Sequence, residues 1–440
     1  MQPADTVLNA RWIVPVEPAG IVLDDHALVI AKGRILEILP QADASERYQA
    51  DTIVDLGAHA LIPGLVNAHT HAAMSLFRGL ADDMPLMQWL SDHIWPAEQK
   101  WVNEEFLNDG TTLACAEMLR GGVTCFNDMY FYPEVAAKAA AGVGMRALVG
   151  LIVLDFPTLY ADDASHYISK GLEVHDVCKP EALISTAFAP HAPFTVSDEP
   201  LRRVRTFADE LDIPIHMHIH ETADEVEQSV KQSGMRPLAR LERLGLLSPS
   251  LLAVHMTQLT DQEIEDLATN GVHVIHCPES NLKLASGLCP VAKLLAGGVN
   301  VALGTEGAAS NNDLDLFSEM RTAALLAKAV ANDASALPAA GALRMATLNG
   351  ARALGLGDET GSLEPGKSAD IAAVRLDDIE TQPFYDLTSQ LVYATGRDKV
   401  SDVWIAGQQV LKDRHLVTVD EAGLKQKVAE WQARIQAQHG

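Results

Sequence analysis

The feature that most constrains this chain is an alternation. Eight apolar runs, at 61–71, 123–128, 145–153, 183–190, 213–220, 251–255, 272–276 and 299–304, read as strands. Helical stretches such as 199–211, 223–244, 261–270 and 313–331 separate them. Parallel neighbours need a crossover between them, so strands alternating with helices predict a parallel sheet. Eight such units predict a closed (β/α)₈ TIM-type barrel. The flanks read differently. Residues 27–30, a Lys32-Gly33 turn and 34–39 form a hairpin pattern, and 53–57 adds a strand. The tail supplies 370–374 and a strand–Gly–strand unit at 402–410. Neither flank suffices for a sheet alone, so both are expected to build one small β-sandwich domain. That places the small domain at 1–60 plus 366–440, closing with a C-terminal helix, and the barrel at 61–365. Residues 80–102 stand out as an insertion.

Composition limits the partners. A net charge of −26 argues against nucleic acid and against an anionic membrane surface, both of which need a basic footprint. The longest apolar run, 147–154, is too short to span a bilayer. The start of the chain has no basic segment followed by an apolar core, and so no signal peptide. The five cysteines are odd in number, scattered and without a CxxC pair, which fits a reducing, cytoplasmic setting. A small-molecule partner is expected.

In a barrel the chemistry sits at the C-terminal ends of the strands. Those ends carry His69 and His71, Asp128, His191, the group His216, His218, His220 and Glu221, then His255, His276 and Glu306. One buried histidine is usually structural. Titratable groups closing nearly every strand point instead to a metal-dependent hydrolase, because neutral imidazole is a common ligand for divalent metals. Alternation alone cannot choose among His216, His218 and His220, which share one strand face.

The motifs are more specific. His69-Thr-His71, His218-Ile-His-Glu221, His255 and Gly304-Thr-Glu-Gly307 together resemble the amidohydrolase superfamily. The finer resemblance is to its aminohydrolase branch and to the 5-methylthioadenosine/S-adenosylhomocysteine deaminase family. Further stretches carry it: 61–71, Ala189-Pro-His-Ala-Pro-Phe194, His276-Cys-Pro-Glu-Ser-Asn281, Ala308-Ala-Ser-Asn-Asn312 and 361–370. The resemblance implies a hydrolytic deaminase with one divalent ion, zinc, on His69, His71, His218 and Glu306, and with a position left open for water. The fourth strand ends Phe188-Ala-Pro-His-Ala-Pro193, with no lysine to bridge a second ion. The family pattern selects His218 because an acid follows at His-x-x-Glu. His216 then falls one layer deeper as a core residue, and His220 stays unassigned. The ion would activate water for attack on the amino-bearing carbon. Glu221 would protonate the adjacent ring nitrogen, His255 would orient the water, and Glu306 would move its proton to the departing amine. For substrate, the resemblance offers Trp89 over the nucleoside, Glu98 on the ribose hydroxyls, His191 on a ring nitrogen and Glu221 on the base. It also offers Arg146 for the carboxylate of a homocysteine tail. A homo-oligomer is expected on the same ground.

One residue departs from the pattern, which calls for Asp at 306. The extra methylene adds roughly 1.5 Å of reach, and misplacement of about 1 Å can lower rate on the order of 10²-fold. Restoring Glu306→Asp is therefore expected to raise turnover. The same site also admits guanine or cytosine deamination, s-triazine hydrolysis, or a catalytically impaired binding protein.

Overall fold

Eight parallel strands follow one another in sequence order around a barrel, in a computed structural model that describes residues 1–383 and 385–437. They are Leu65–Thr70, Val123–Tyr130, Arg146–Val153, Ile184–Pro190, Ile215–Ile219, Leu251–His255, His273–His276 and Asn300–Leu303. The ring is joined where Thr305 and Glu306 N–H donate to the His69 carbonyl at 3.1 and 3.2 Å. A parallel strand is covered on both faces and so reads as a continuous apolar run. Val123–Tyr130 and Arg146–Val153 are accordingly buried at every residue. Val66, Ala68, Cys125, Leu148, Ala187, Leu252, Val254, Ile275 and Ala302 form one apolar cluster, separate from the larger one that the strands share with the surrounding helices.

A second sheet of nine strands draws on both flanks. Its centre is the antiparallel pair His59–Pro63 and Ile371–Arg375, which ties the two ends of the chain together. The expected sandwich is one connected sheet, branched at Gln2–Ile13, which takes both Tyr48–Asp55 and His59–Pro63 as parallel partners. Separate apolar clusters lie around Leu28, Ile30, Leu61 and Trp404, and around Val7, Val29, Leu39 and Tyr48.

Three expectations need correction. The run 61–71 is not a single strand: it divides at Gly64, leaving 61–63 in the small sheet and Leu65–Thr70 in the barrel. A Cβ at Gly64 would collide with the Thr124 side chain, so the crossing needs glycine. The stretch 223–244 is two helices, Ala223–Ser233 and Pro237–Arg243, because Gly234 turns left-handed and Pro237 starts the second. The C-terminal helix Glu421–Gln436 leaves the small sheet and packs on the barrel helix Glu104–Arg120. Trp431 anchors it there, donating to Asp109 at 3.1 Å and meeting Phe106 edge-on. The insertion carries short helical turns, Leu86–Trp89 and Trp95–Trp101, joined by a widened π-type turn over Leu90–Ile94. Among the described residues no helix is long and apolar enough to cross a membrane.

Candidate active site

Four side chains converge where the first, fifth and eighth barrel strands end. One ligand atom each from His69, His71, His218 and Glu306 lies within 4.8 Å of the others. His69 Nε2 is 3.1 Å from His218 Nε2 and 2.7 Å from Glu306 Oε1. His71 Nε2 and His218 Nε2 stand 3.3 and 3.4 Å from the same carboxylate. Donors about 2.0–2.1 Å from one tetrahedral ion are about 3.3 Å apart, so the residues present fit such an ion.

The surroundings prepare the rings for that task. The Nδ1 atoms of His71 and His218 meet the carbonyls of Met129 and His191, the latter at 2.8 Å. A carbonyl only accepts, so each proton sits on Nδ1 and the Nε2 lone pair faces the centre. His69 Nδ1 is hydrogen-bonded to His216 Nε2 at 2.8 Å, and the Asn127 amide lies against the far nitrogen of His216 at 3.1 Å. Burial pushes the pKa of His69 down to about 3 and those of His216 and His191 well below the imidazole range. Burial thus favours the neutral form of these three rings, whereas at His71 the neighbouring Glu306 carboxylate outweighs burial and raises the pKa to about 9.

Backbone strain collects at the same rim. His220, His255 and Glu306 have φ of 54°, 76° and 64°, a left-handed conformation unusual outside glycine and common at functional sites. It ends the strand alternation there. His255 holds Nδ1 against Asn281 Oδ1 at 2.8 Å. Its Nε2 is buried without a hydrogen-bond partner, 3.4 Å from Glu306 and 3.7 Å from Glu221. Glu221 takes a hydrogen bond from Ser286 at 3.3 Å. Glu306 accepts from the Gly307 N–H and the Ser310 hydroxyl, both at 3.1 Å. A Cβ on nearby Gly304 would lie 2.8 Å from His69 Cβ, so this close approach requires glycine.

The site opens into a cavity of about 500 Å³ lined in part by Trp89, Glu98, His191, Glu221 and Glu306. Tyr130 donates to Glu98 at 2.7 Å, and burial pushes the Glu98 carboxyl up to about 7. The indole N–H of Trp89 is bound to the Ala81 carbonyl at 3.2 Å, so its ring serves the wall. His191 keeps Nδ1 beside Thr195 at 3.2 Å.

Arg146 is not among these groups, and this corrects its assignment to a substrate carboxylate. It is the first residue of its strand and so lies at the N-terminal end of the barrel, opposite the catalytic rim. There it is buried, donating to Asp370 at 2.9 and 3.3 Å and to Ser368 at 3.0 Å. His276 is buried and does not line the cavity. Asp128 accepts from Ala72 N–H at 2.7 Å and from Thr70 at 3.1 Å, holding the turn after His71.

Several partners escaped sequence reasoning: Asn127, Tyr130, Asn281, Ser286 and Ser310. Only Asn281 and Ser310 had a signal, since both fall inside the stretches that carry the resemblance. Behind them, Asn311 donates to the Thr305 carbonyl at 2.7 Å and to buried Glu319 at 2.6 Å, steadying the turn that presents Glu306.

Comparison with known proteins agrees with this geometry. The amidohydrolase family model matches residues 60–410. A 5-methylthioadenosine/S-adenosylhomocysteine deaminase of Saccharophagus degradans is 52% identical over 436 residues, covering 99% of this chain and 98% of the relative. A crystal structure of an adenosine deaminase from Xanthomonas campestris with bound zinc superposes with a TM-score of 0.98. It is 56% identical and covers 99% of each chain. Zinc-complexed atrazine chlorohydrolase of Arthrobacter aurescens has a TM-score of 0.91 at 22% identity, covering 97% of this chain and 99% of its own, a likeness of fold alone.

Proposed function

The chain belongs to the amidohydrolase family, and from that premise we propose that it is a zinc-dependent hydrolytic deaminase of adenine nucleosides, including their 5′-thioethers. The reaction takes one nucleoside and one water to the 6-oxo nucleoside and ammonia. The observation that carries the reading is the convergence of His69, His71, His218 and Glu306 at the floor of a cavity whose wall bears Glu98.

A divalent ion bound by those four groups supplies water activation at neutral pH. The other roles belong to this chain's own residues. Glu221 faces the base and donates a proton to the ring nitrogen beside C6, which makes that carbon electrophilic. His255, fixed through Asn281, directs its free Nε2 at the attacking oxygen. Glu306 takes a proton from the water and returns it to the departing amine. Glu98 accepts from the ribose hydroxyls, His191 meets the purine edge and Trp89 walls the nucleoside. Free bases lack the ribose that Glu98 would engage.

The test is ammonia release by zinc-loaded protein offered 5′-methylthioadenosine, adenosine, guanine and cytosine. Turnover of the two nucleosides with little on the free bases is expected. Turnover of guanine or cytosine alone would overturn the assignment. Glu98→Ala should weaken nucleosides and spare any activity on a free base.

A further inference from the structure

Two helices open on a threonine cap with a glutamate three residues on, Thr222-Ala-Asp-Glu225 and Thr260-Asp-Gln-Glu263. That spacing ordinarily closes a capping box, in which the glutamate carboxylate accepts the N–H of the capping threonine. Glu263 does so at 2.9 Å, and Arg236 covers its charge at 2.7 and 2.9 Å. Thr222 also caps its helix, accepting from the Glu225 N–H at 3.2 Å. The Glu225 carboxylate, however, reaches past the cap to the two residues before it. It accepts from the His220 N–H at 3.2 Å and from the Glu221 N–H at 2.7 Å. Among the described residues no lysine or arginine pairs with it. Burial pushes the carboxyl up to about 7, and the two N–H groups act the other way by stabilising its ionised form.

The same two residues are held from the opposite side. Thr257 donates its N–H to the His220 carbonyl at 3.0 Å and its hydroxyl to the Glu221 carbonyl at 2.7 Å. Gln258 donates to that hydroxyl at 2.9 Å, which leaves the hydroxyl proton for the carbonyl. The turn needs such support, because His220 is left-handed with φ 54°, a conformation that costs free energy outside glycine. The Glu221 carboxylate itself receives only the Ser286 hydroxyl, at 3.3 Å, among the described residues. Its aim into the cavity is therefore set by the backbone on which it stands.

We propose that Glu225 is a positioning residue for Glu221: clamped between Glu225 and Thr257, the strained turn at 220–221 holds the Glu221 carboxyl on the ring nitrogen that it protonates. This rests on the deaminase reading and adds a residue to it. Glu225 touches neither substrate nor ion and acts through the two peptide groups alone. A displaced Glu221 meets the ring nitrogen poorly where the proton moves, so the loss belongs to turnover rather than to substrate binding.

The test measures kcat and KM of the zinc-loaded full chain on 5′-methylthioadenosine at about pH 8, where the Glu225 carboxyl is mostly ionised. Glutamine at 225 keeps the shape and one acceptor oxygen but turns an NH₂ group toward the other N–H. Glu225→Gln should lower kcat about 10-fold and Glu225→Ala about 100-fold, with KM within about 3-fold and zinc per chain unchanged. In a Glu221→Gln background the further loss from Glu225→Gln should shrink below about 2-fold, because the group being aimed no longer delivers the proton. Amide hydrogen exchange at 220 and 221 should quicken in Glu225→Gln, a readout independent of turnover. Glu263→Gln, the matching change in the ordinary capping box, should leave kcat within about 3-fold. An unchanged kcat or unchanged exchange in Glu225→Gln, an undiminished loss in the Glu221→Gln background, or an equal loss from Glu263→Gln would each overturn the proposal and leave the deaminase reading intact. A native protein that releases no ammonia from any nucleoside would overturn both.

Discussion

Glu306→Asp is the most demanding test of the site, because structure and motif give it opposite signs. The motif treats glutamate as a defect that aspartate would repair. The geometry shows a turn shaped around the longer side chain. Oε2 accepts from Gly307 and Ser310 at 3.1 Å, while Oε1 stands 3.4 Å from both His218 and His255. Withdrawing the carboxylate by roughly 1.5 Å takes it beyond the reach of about 3 Å that a hydroxyl hydrogen bond to Ser310 requires. It also carries the carboxylate away from His255, where the water would be handled. Displacement near 1 Å corresponds to about 10- to 100-fold in turnover, or about 1.4–2.7 kcal/mol in barrier. Charge and intrinsic pKa hardly change. Aspartate also tolerates the left-handed backbone at 306, so neither electrostatics nor strain confounds the reading. Glu306→Asp should therefore lower kcat on 5′-methylthioadenosine, with zinc per chain unchanged by elemental analysis. Ser310→Ala should reduce kcat in the native background and add little in Glu306→Asp, since the shortened carboxylate no longer meets the hydroxyl. A rise in turnover for Glu306→Asp, or no change, would refute the argument.

Three other outcomes follow from the same contacts. The Glu98 carboxyl, pushed up to about 7 by burial, is an acceptor pair only when ionised, so KM for nucleosides should rise as pH falls through about 7. That limb should vanish in Glu98→Gln, as read from pH profiles of KM. Arg146→Met strands buried Asp370 and should remove about 3–5 kcal/mol of stability in urea unfolding, with the preference among nucleosides unchanged. His218→Ala should abolish zinc binding, while His216→Ala, which releases His69 from its support, should weaken zinc affinity by about 10- to 100-fold in competition with a chelator.

How much of this was legible in the sequence depends on the range of the signal. Strand periodicity is local, and it placed all eight barrel strands to within a few residues. Their C-terminal ends then put His69, His71, the three histidines of the fifth strand, His255 and Glu306 at one rim, because barrel topology converts a position along a strand into a position in space, and the family resemblance chose His218 among the three. Arg146 failed by the same rule. It opens its strand rather than closing it, so the topology that gathers the histidines carries it to the opposite face. The break at Gly64 was hidden because apolar residues continue on both sides, and only the pairing shows that the chain changes sheets there, with Pro63 opposite Ile371 and Leu65 opposite Val123.

Partners that act across sequence were illegible for a different reason. Asn281 matters to His255, and Ser310 to Glu306, through one hydrogen bond each, and an uncharged side chain in a loop announces no partner. The three histidines of the fifth strand make the same point. Alternation treats them as equals, yet each ring meets a different environment. His218 turns Nε2 to the centre and anchors Nδ1 on a carbonyl, as a ligand should. His216 meets His69, and so acts on the centre through another ring rather than as inert core. His220, with its backbone turned left-handed, accepts from the Leu238 N–H at 3.2 Å beneath the helix Pro237–Arg243. Their roles are thus set by what lies opposite each ring nitrogen, which fixes the tautomer and hence whether a lone pair is left for a metal.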